Sequence, residues 1–240
     1  MSTFFNTLLF GIYPYICLVV LAVGSIIRYD REPFTWRSGS SQLLRRRQLI
    51  WGSNLFHIGV LIVFLGHLFG LLTPLWIYEA IGIGHTFKQL MAMIVGGVAG
   101  VFCLIGALML LQRRLGDPRI RKTSSFGDIA ILILLTLQLL LGLSTIFVSA
   151  QHLDGGEMIA LMTWAQGIFS FQADAASYVQ NAHWIFKLHL FLGLTIFLVF
   201  PFTRLVHMLS VPARYLWRPG YQIVRQRQHR QDRRPLAAAE

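Results

Sequence analysis

The amino-acid sequence predicts an all-α, polytopic membrane protein with five transmembrane helices, an N-terminus outside the membrane and a cytoplasmic C-terminus. Of the 240 residues, 55% are hydrophobic and 13% are charged, whereas a soluble domain carries about 25% charged residues. The apolar residues are gathered in five runs of roughly 20 residues, the length that crosses a hydrocarbon core of about 30 Å. Basic residues are concentrated in alternate connections between these runs. Together these observations favour a membrane protein over a globular domain.

Each apolar run predicts one helix. The five runs are Phe4–Ile27, Leu49–Leu72, Leu90–Leu111, Gly127–Val148 and Trp184–Phe202. The first run has no basic segment before it and is too long for a cleavable signal peptide, so we expect it to be retained. Pro14 lies within this run, and because proline removes a backbone donor we expect a bend there.

The distribution of charge predicts the orientation. The formal net charge is +11, but 19 of the 21 basic residues lie in the first connection, in the third connection or after residue 203. The second and fourth connections instead carry acidic residues, namely Glu79, Asp154, Glu157 and Asp174. The positive-inside rule then places the N-terminus outside and the C-terminus in the cytoplasm. The charge therefore indicates topology rather than nucleic-acid binding, and it leaves open a second role in docking a cytoplasmic partner or anionic lipid.

Two parts of the chain are expected to behave differently. Residues 1–221 are predicted to form the five-helix transmembrane domain. Residues 222–240 are polar and basic, with the sequence QIVRQRQHRQDRRPLAAAE. We expect this cytoplasmic tail to be poorly ordered unless a partner holds it.

Four of the eight histidines lie in or beside apolar runs. His57, His67 and His189 are within predicted helices, and His207 follows the fifth helix closely. An ionisable group at such a position is costly and indicates a function, although a neutral ring bonded to another helix is the structural alternative. The second helix runs outward and the fifth runs inward. The predicted pairs are therefore His57 with His207 near the cytoplasm, and His67 with His189 near the outer face.

Two imidazoles at each depth favour haem iron over zinc. His57 and His67 are ten residues apart, which corresponds to about 15 Å along a helix and is too long for one metal. Zinc takes three or four ligands, whereas haem iron needs only two axial ligands from the protein. The sequence has no CxxCH motif, so the prediction is two non-covalent haems with bis-histidine ligation.

Glycines and cations near the histidines agree with this prediction. Small residues let a flat ring approach the backbone, although they also serve ordinary helix packing; they are Gly59, Gly66, Gly70 and Gly193. Haem propionates need cations. The candidates are Arg45, Arg46, Arg47 and Arg204 for the inner pair and Lys187 for the outer pair.

The spacing on the fifth helix does not match that on the second. His189 and His207 are 18 residues apart, which is about 27 Å along a straight helix. Pro201 lies between them, and we expect a kink or an early helix end there to shorten the span.

Several segments of the sequence resemble the gamma subunit of membrane-bound respiratory nitrate reductase, a di-haem b-type quinol dehydrogenase. The resemblance extends to about Tyr221, and the segments that carry it are FGIYPYI, RYDREPFTWRSGSSQ, SNLFHIGVLIVFLGHLFGLLTPLWIYEA, KQLMAM, SAQHLDGGEM, WAQ and KLHLFLGLTIFLVFPFTRLVHMLSVP. It implies five helices with the N-terminus outside. It also implies that His57 and His207 are the axial ligands of the inner haem b, and that His67 and His189 are those of the outer haem b.

The resemblance also implies a reaction and its partners. Quinol would be oxidised near the outer face, at a site that includes Gly66 and Lys88. Electrons would pass through the outer and then the inner haem to a cytoplasmic iron–sulfur beta subunit. A molybdenum alpha subunit would then reduce nitrate, so the chain would not reduce nitrate by itself. The location implied is the bacterial cytoplasmic (inner) membrane.

The sequence departs from the family beside the quinol site and in the tail after Tyr221, which is longer and richer in Arg and Gln. The segment AIGIGHTF at 80–87 is one residue longer than the family pattern and directly precedes Lys88. The alternative for Lys88 is an interfacial lysine whose ammonium extends to water.

Two other functions remain open from the sequence. One is the haem b anchor of another quinone-linked oxidoreductase, because the terminal acceptor is not encoded in this chain. The other is a proton-coupled transporter, which would need carboxylates in the membrane beside the histidines. Asp128 lies only at the start of a predicted helix, where an N-terminal cap is the favoured role.

Overall fold

The structure is a computed structural model that describes residues 3–36 and 44–209. Within these ranges the chain consists of helices and short connections and contains no strand. The predicted tail at 222–240 and the end of the predicted membrane domain at 210–221 lie outside the described residues, as does the segment 37–43.

Five helices are long and apolar enough to cross a membrane, which confirms the predicted fold class. The five membrane-spanning segments are Thr3–Arg31 (α1), Arg46–Leu72 (α2), His85–Gly116 (α3), Phe126–Ser149 (α4) and Trp184–Phe202, of which Trp184–Val199 is α-helical (α5). The third extends beyond the predicted apolar run at both ends. Orientation in a membrane stays a prediction. The end of the bundle where α1 begins is therefore named the predicted outer end, and the other the predicted cytoplasmic end.

Shorter helices complete the described chain. The α-helical ones are Leu75–Ala80, Pro118–Thr123 and Gly156–Phe169, and the 3₁₀ turns are Pro33–Thr35, Ala175–Val179, Phe200–Phe202 and Arg204–Met208.

Helix α1 changes its hydrogen-bonding pattern beside Pro14. A π-helical turn at Leu8–Ile12 separates the α-helical parts Thr3–Thr7 and Tyr13–Arg31. The Tyr13 N–H donates to the Leu8 carbonyl, five residues earlier. Single π turns of this kind are a recognised interruption of long helices, and this one lies directly before the proline that the sequence singled out.

The spanning helices pack in the order α2, α3, α4, α5 and α1. The contact between α2 and α3 is close because glycines line it. A Cβ added to Gly59 would lie 2.6 Å from Cys103 Cβ and 2.7 Å from the Ala99 carbonyl oxygen. Such small-residue contacts let two helix backbones approach each other. In this order α3 and α4 stand between α2 and α5.

The helix ends at the predicted cytoplasmic side are capped by carboxylates. Asp117 Oδ1 accepts from the backbone N–H groups of Arg119 and Ile120. Ser125 and Asp128 form a reciprocal capping box at the start of α4, which satisfies backbone donors that a helix leaves unpaired. The predicted role of Asp128 as a cap is therefore confirmed.

The α-helical part of the fifth span ends before Pro201. The α-helix stops at Val199, the chain passes through the 3₁₀ turn Phe200–Phe202, and Thr203 is extended with φ −118° and ψ 179°. A second 3₁₀ turn then covers Arg204–Met208. The expected interruption near Pro201 is therefore present as an early helix end followed by an extended residue.

Candidate functional site

Two pairs of histidine rings face each other between α2 and the fifth span. The ring centroids of His57 and His207 are 6.3 Å apart, and those of His67 and His189 are 6.0 Å apart. The structure thus brings together the two pairs that the sequence grouped by depth. Helix α2 contributes one ring to each pair.

The break after α5 accounts for the unequal spacing of the histidines. Helix α2 is continuous between His57 and His67, but the fifth span is not continuous between His189 and His207. Because the chain is extended at Thr203, His207 is not carried further along the axis of α5. Its ring reaches His57 despite the longer separation in sequence.

Three of the four rings donate from Nδ1 to a backbone carbonyl. His57 Nδ1 is 2.7 Å from the Ser53 oxygen and His67 Nδ1 is 2.8 Å from the Val63 oxygen. His207 Nδ1 bonds the Arg204 oxygen in the same way. A carbonyl can only accept, so Nδ1 carries the proton in each ring. In the neutral form of each ring the lone pair is then on Nε2, and a neutral imidazole nitrogen is what binds a metal.

His189 is held by residues of α4. Gln138 Nε2 donates to the His189 carbonyl at 3.1 Å and lies 3.4 Å from the ring Nε2. Both His189 Nδ1 and Gln138 Oε1 are buried with no hydrogen-bond partner among the described residues. A Cβ on Gly142 would lie 3.0 Å from His189 Cε1, so this glycine leaves room for the ring.

The four predicted glycines divide into two kinds. A Cβ on Gly66 or Gly70 would meet nothing within 4 Å, so α2 faces open space at these positions. Gly59 instead packs on α3, and a Cβ on Gly193 would lie 3.1 Å from Gln138 Nε2. The expectation that Gly59 admits a flat ring is therefore wrong, because backbone atoms of α3 occupy the space beside it, whereas for Gly193 it stays a prediction.

The cations predicted beside the pairs mostly have partners within the protein. Arg45 forms an ion pair with Asp117 at 3.0 Å, and Arg204 approaches Asp128 at 3.6 Å. Lys187 Nζ donates to the Gln180 carbonyl at 2.6 Å. Arg46 and Arg47 are exposed at the start of α2. Their predicted role toward propionates stays a prediction.

Lys88 lies near the start of α3, where it is buried beside the predicted outer end of α2. Its side chain is among the buried polar groups, with 8% exposure. The ammonium donates to the Gly70 carbonyl at 3.1 Å and contacts Met162 Sδ at 2.8 Å. It also lies 3.6 Å from the centroid of the Tyr78 ring, an arrangement that attracts a cation. These contacts enclose the ammonium and differ from those of an interfacial lysine that extends to water.

Two residues that enclose Lys88 were not found from the sequence. Tyr78 belongs to the short helix Leu75–Ala80 and donates its hydroxyl to the Phe69 carbonyl at 3.0 Å. Met162 belongs to the Gly156–Phe169 helix. Nothing in their sequence surroundings marks either residue. Gln138 could have been found, since it is an amide inside an apolar run.

The donor set at each depth is a pair of imidazoles. Among the described residues, no three or more His, Cys, Asp or Glu side chains are grouped so that they could hold a metal ion. The arrangement therefore suits a metal whose remaining ligands come from a cofactor. The fold and site define a polytopic α-helical membrane protein with two histidine pairs at different depths.

Comparison with known proteins identifies the family. The family model described as "Nitrate reductase gamma subunit" matches residues 6–227. The chain is 52% identical to the respiratory nitrate reductase 1 gamma chain of Escherichia coli (strain K12), over 93% of this chain and 99% of that one. It is also 39% identical to the nitrate reductase gamma chain of Bacillus subtilis (strain 168), over 92% of this chain and 98% of that one. This chain belongs to the nitrate reductase gamma subunit family and is a multi-pass membrane subunit of an oxidoreductase complex.

Proposed function

We propose that this chain is the quinol-oxidising, di-haem cytochrome b subunit of a respiratory nitrate reductase, located in the bacterial cytoplasmic membrane. The observation that carries the proposal is the pair of facing imidazoles at each of two depths. His57 and His207 are the proposed ligands of the inner haem b, and His67 and His189 are those of the outer haem b.

The separation of the rings fits a metal held between them. A metal bound by one nitrogen of each ring, with bonds of about 2 Å, would put the ring centroids about 6 Å apart. The measured centroid separations are 6.3 and 6.0 Å. The open space beside Gly66 and Gly70 supports the same reading, since a flat macrocycle needs a gap along the helix.

The chain's own residues orient the ligands. When bound, the two haems supply a path for single electrons between the two depths. The carbonyls of Ser53, Val63 and Arg204 accept the Nδ1 protons, which fixes the tautomer and raises the basicity of Nε2. Gln138 and Gly142 hold His189 from α4.

Lys88 and Gly66 are the proposed quinol-binding residues. Gly66 precedes His67 and borders open space, and Lys88 donates to the Gly70 carbonyl one helical turn further along α2. An oxygen of the quinol head group can replace the weak acceptor Met162 Sδ or the Tyr78 ring at one ammonium N–H, and the ammonium carries no acceptor that would compete. The quinol protons would leave at the outer face.

The proposal also covers the direction of electron transfer and the partner subunits. The basic connections at the predicted cytoplasmic end suit docking of an iron–sulfur beta subunit, which passes electrons to a molybdenum alpha subunit for nitrate reduction. Moving one charge across the whole membrane corresponds to about 2.3 kcal/mol per 100 mV. Oxidation of quinol at the outer face therefore separates charge across the membrane.

The test is optical. A dithionite-reduced minus oxidised spectrum of the purified chain is expected to show b-type bands equivalent to two haems. The double variant His57→Ala with His207→Ala should keep one haem, and so should the double variant His67→Ala with His189→Ala. Absence of b-type bands from the wild-type chain would overturn the proposal, and loss of both haems or of neither in a folded double variant would overturn the pairing.

A further inference from the structure

We propose that Arg28 is a positioning residue that sets where His207 stands, by binding the carbonyls exposed at the break after α5. This inference rests on the proposed role of His207 as an axial ligand of the inner haem. Arg28 lies on α1, a helix that contributes no histidine to either pair.

The break leaves backbone carbonyls without their helical donors. In a continuous α-helix the Pro201 carbonyl would accept from the N–H of residue 205. In this chain the Leu205 N–H donates to Thr203 Oγ1 instead, at 3.3 Å. Thr203 itself is extended. Buried carbonyls that lose such donors need another partner, because leaving them unpaired is costly.

Arg28 supplies that partner. Its Nη1 donates to the Pro201 carbonyl at 2.6 Å and to the Thr203 carbonyl at 2.8 Å. The other guanidinium nitrogens are anchored on Thr35, with Nε 3.2 Å from Oγ1 and Nη2 3.2 Å from the carbonyl oxygen. A planar guanidinium with five donors in a fixed fork can satisfy four acceptors at once. Arg28 therefore joins the break to the end of α1.

A second contact places α1 against the same break. Gly24 lies one helical turn before Arg28, and a Cβ added there would be 2.9 Å from Pro201 Cγ. Pro201 is fully buried. The proline ring therefore occupies the space that the absent side chain leaves, and the distance from α1 to the break is short enough for the guanidinium to reach both carbonyls.

Only a few residues connect the break to His207, so the position of the break determines where the His207 ring lies. His207 Nδ1 bonds the Arg204 carbonyl, and Arg204 directly follows Thr203. The Arg204 guanidinium approaches Asp128 of α4 at 3.6 Å, and the side chain of Val206 is fully buried. The turn Arg204–Met208 is thus fixed from α1 on one side and from α4 on the other, and the His207 ring has little freedom to move away from His57.

The experiment uses the full-length chain in its membrane complex and compares Arg28→Leu with Arg28→Lys. The matched control is Arg31→Leu, which removes an exposed arginine three residues further along α1. Haem content, low-spin haem spectra and the midpoint potentials of both haems are measured for each protein. Gly24→Ala is a second variant that displaces α1 from Pro201 while keeping the guanidinium.

Arg28→Leu is expected to lose or shift the inner-haem signal while the outer-haem signal and potential stay as in the wild type. Arg28→Lys should restore part of the inner-haem signal, because an ammonium can still bond one carbonyl. Gly24→Ala should shift the inner signal in the same direction, and Arg31→Leu should match the wild type. Wild-type inner-haem spectra and potential in both Arg28→Leu and Gly24→Ala would overturn the inference.

Two other outcomes separate this inference from the proposed function. Equal changes at both haems in Arg28→Leu would mean that Arg28 supports the whole bundle, and this also overturns the positioning role. A wild-type chain without b-type haem would instead overturn the proposed function, and the inference with it.

Discussion

The contact between α2 and α3 leads to a quantitative prediction for Gly59. A Cβ at this position would lie 2.6 Å from Cys103 Cβ and 2.8 Å from the Cys103 backbone nitrogen. To restore an ordinary contact of about 3.5 Å to Cys103 Cβ, α2 must retreat from α3 by about 0.9 Å. Both atoms belong to or adjoin the backbone of α3, so a side-chain rotation cannot relieve the overlap. Overpacking of this kind costs about 1–3 kcal/mol.

The control for Gly59→Ala is Gly96→Ala on α3. A Cβ on Gly96 would meet nothing within 4 Å. Both substitutions gain the same helix propensity, about 1 kcal/mol, so this gain cancels when the two variants are compared. Gly59→Ala should therefore be less stable than Gly96→Ala by about 1–3 kcal/mol.

The assay is unfolding of the purified chain in mixed micelles by increasing sodium dodecyl sulfate, followed by circular dichroism. Gly59→Ala should unfold at a lower detergent fraction than Gly96→Ala. Equal midpoints for the two variants would refute the close contact between α2 and α3. Since α2 carries His57 and His67, a retreat of α2 should also lower the haem content of Gly59→Ala.

Three further predictions concern other polar residues. Lys88→Ala should impair quinol oxidation and keep both haems, because the buried ammonium is the proposed donor to the quinol head group; quinol turnover equal to the wild type would remove Lys88 from the site. Gln138→Leu should shift the midpoint potential of the outer haem alone, and two unchanged potentials would contradict its contact with the ring. The pKa of the Asp117 carboxyl lies below its usual value. Desolvation alone would raise this pKa, but the backbone N–H groups that Asp117 caps and the Arg45 guanidinium lower it by more. Its stabilising effect is then present above an unfolded pKa of about 3.9 and is lost as pH falls through the lower folded value. Asp117→Asn should remove that part of the acid sensitivity, which unfolding midpoints measured against pH would show.

The sequence predicted the five spans because length and hydropathy alone decide whether a helix can cross a membrane. It also grouped the histidines correctly, since depth in a membrane follows directly from position along a spanning helix. His57 and His207 are 150 residues apart in the chain, yet their predicted proximity is found in the structure. These results depended on one coordinate, the distance along the membrane normal.

Features that depend on the direction a side chain faces were harder to predict. Gly59 and Gly66 look alike in the sequence, but the first packs on α3 and the second borders open space. The contacts of Tyr78 and Met162 with Lys88 arise because the connections at the predicted outer end fold back against the spanning helices. No periodicity in those short segments specifies such a return.

The angular spacing of the two rings on α2 explains why the fifth span is interrupted. Ten residues of an α-helix turn the second ring by about 80° from the direction of the first. Eighteen residues of a continuous helix would instead bring His207 back to the same side as His189. One straight helix could therefore not face both rings of α2. Displacing His207 onto a separate 3₁₀ turn gives it the independent direction that its partner requires, so the end of α5 at Val199 supplies an orientation as well as a shorter span.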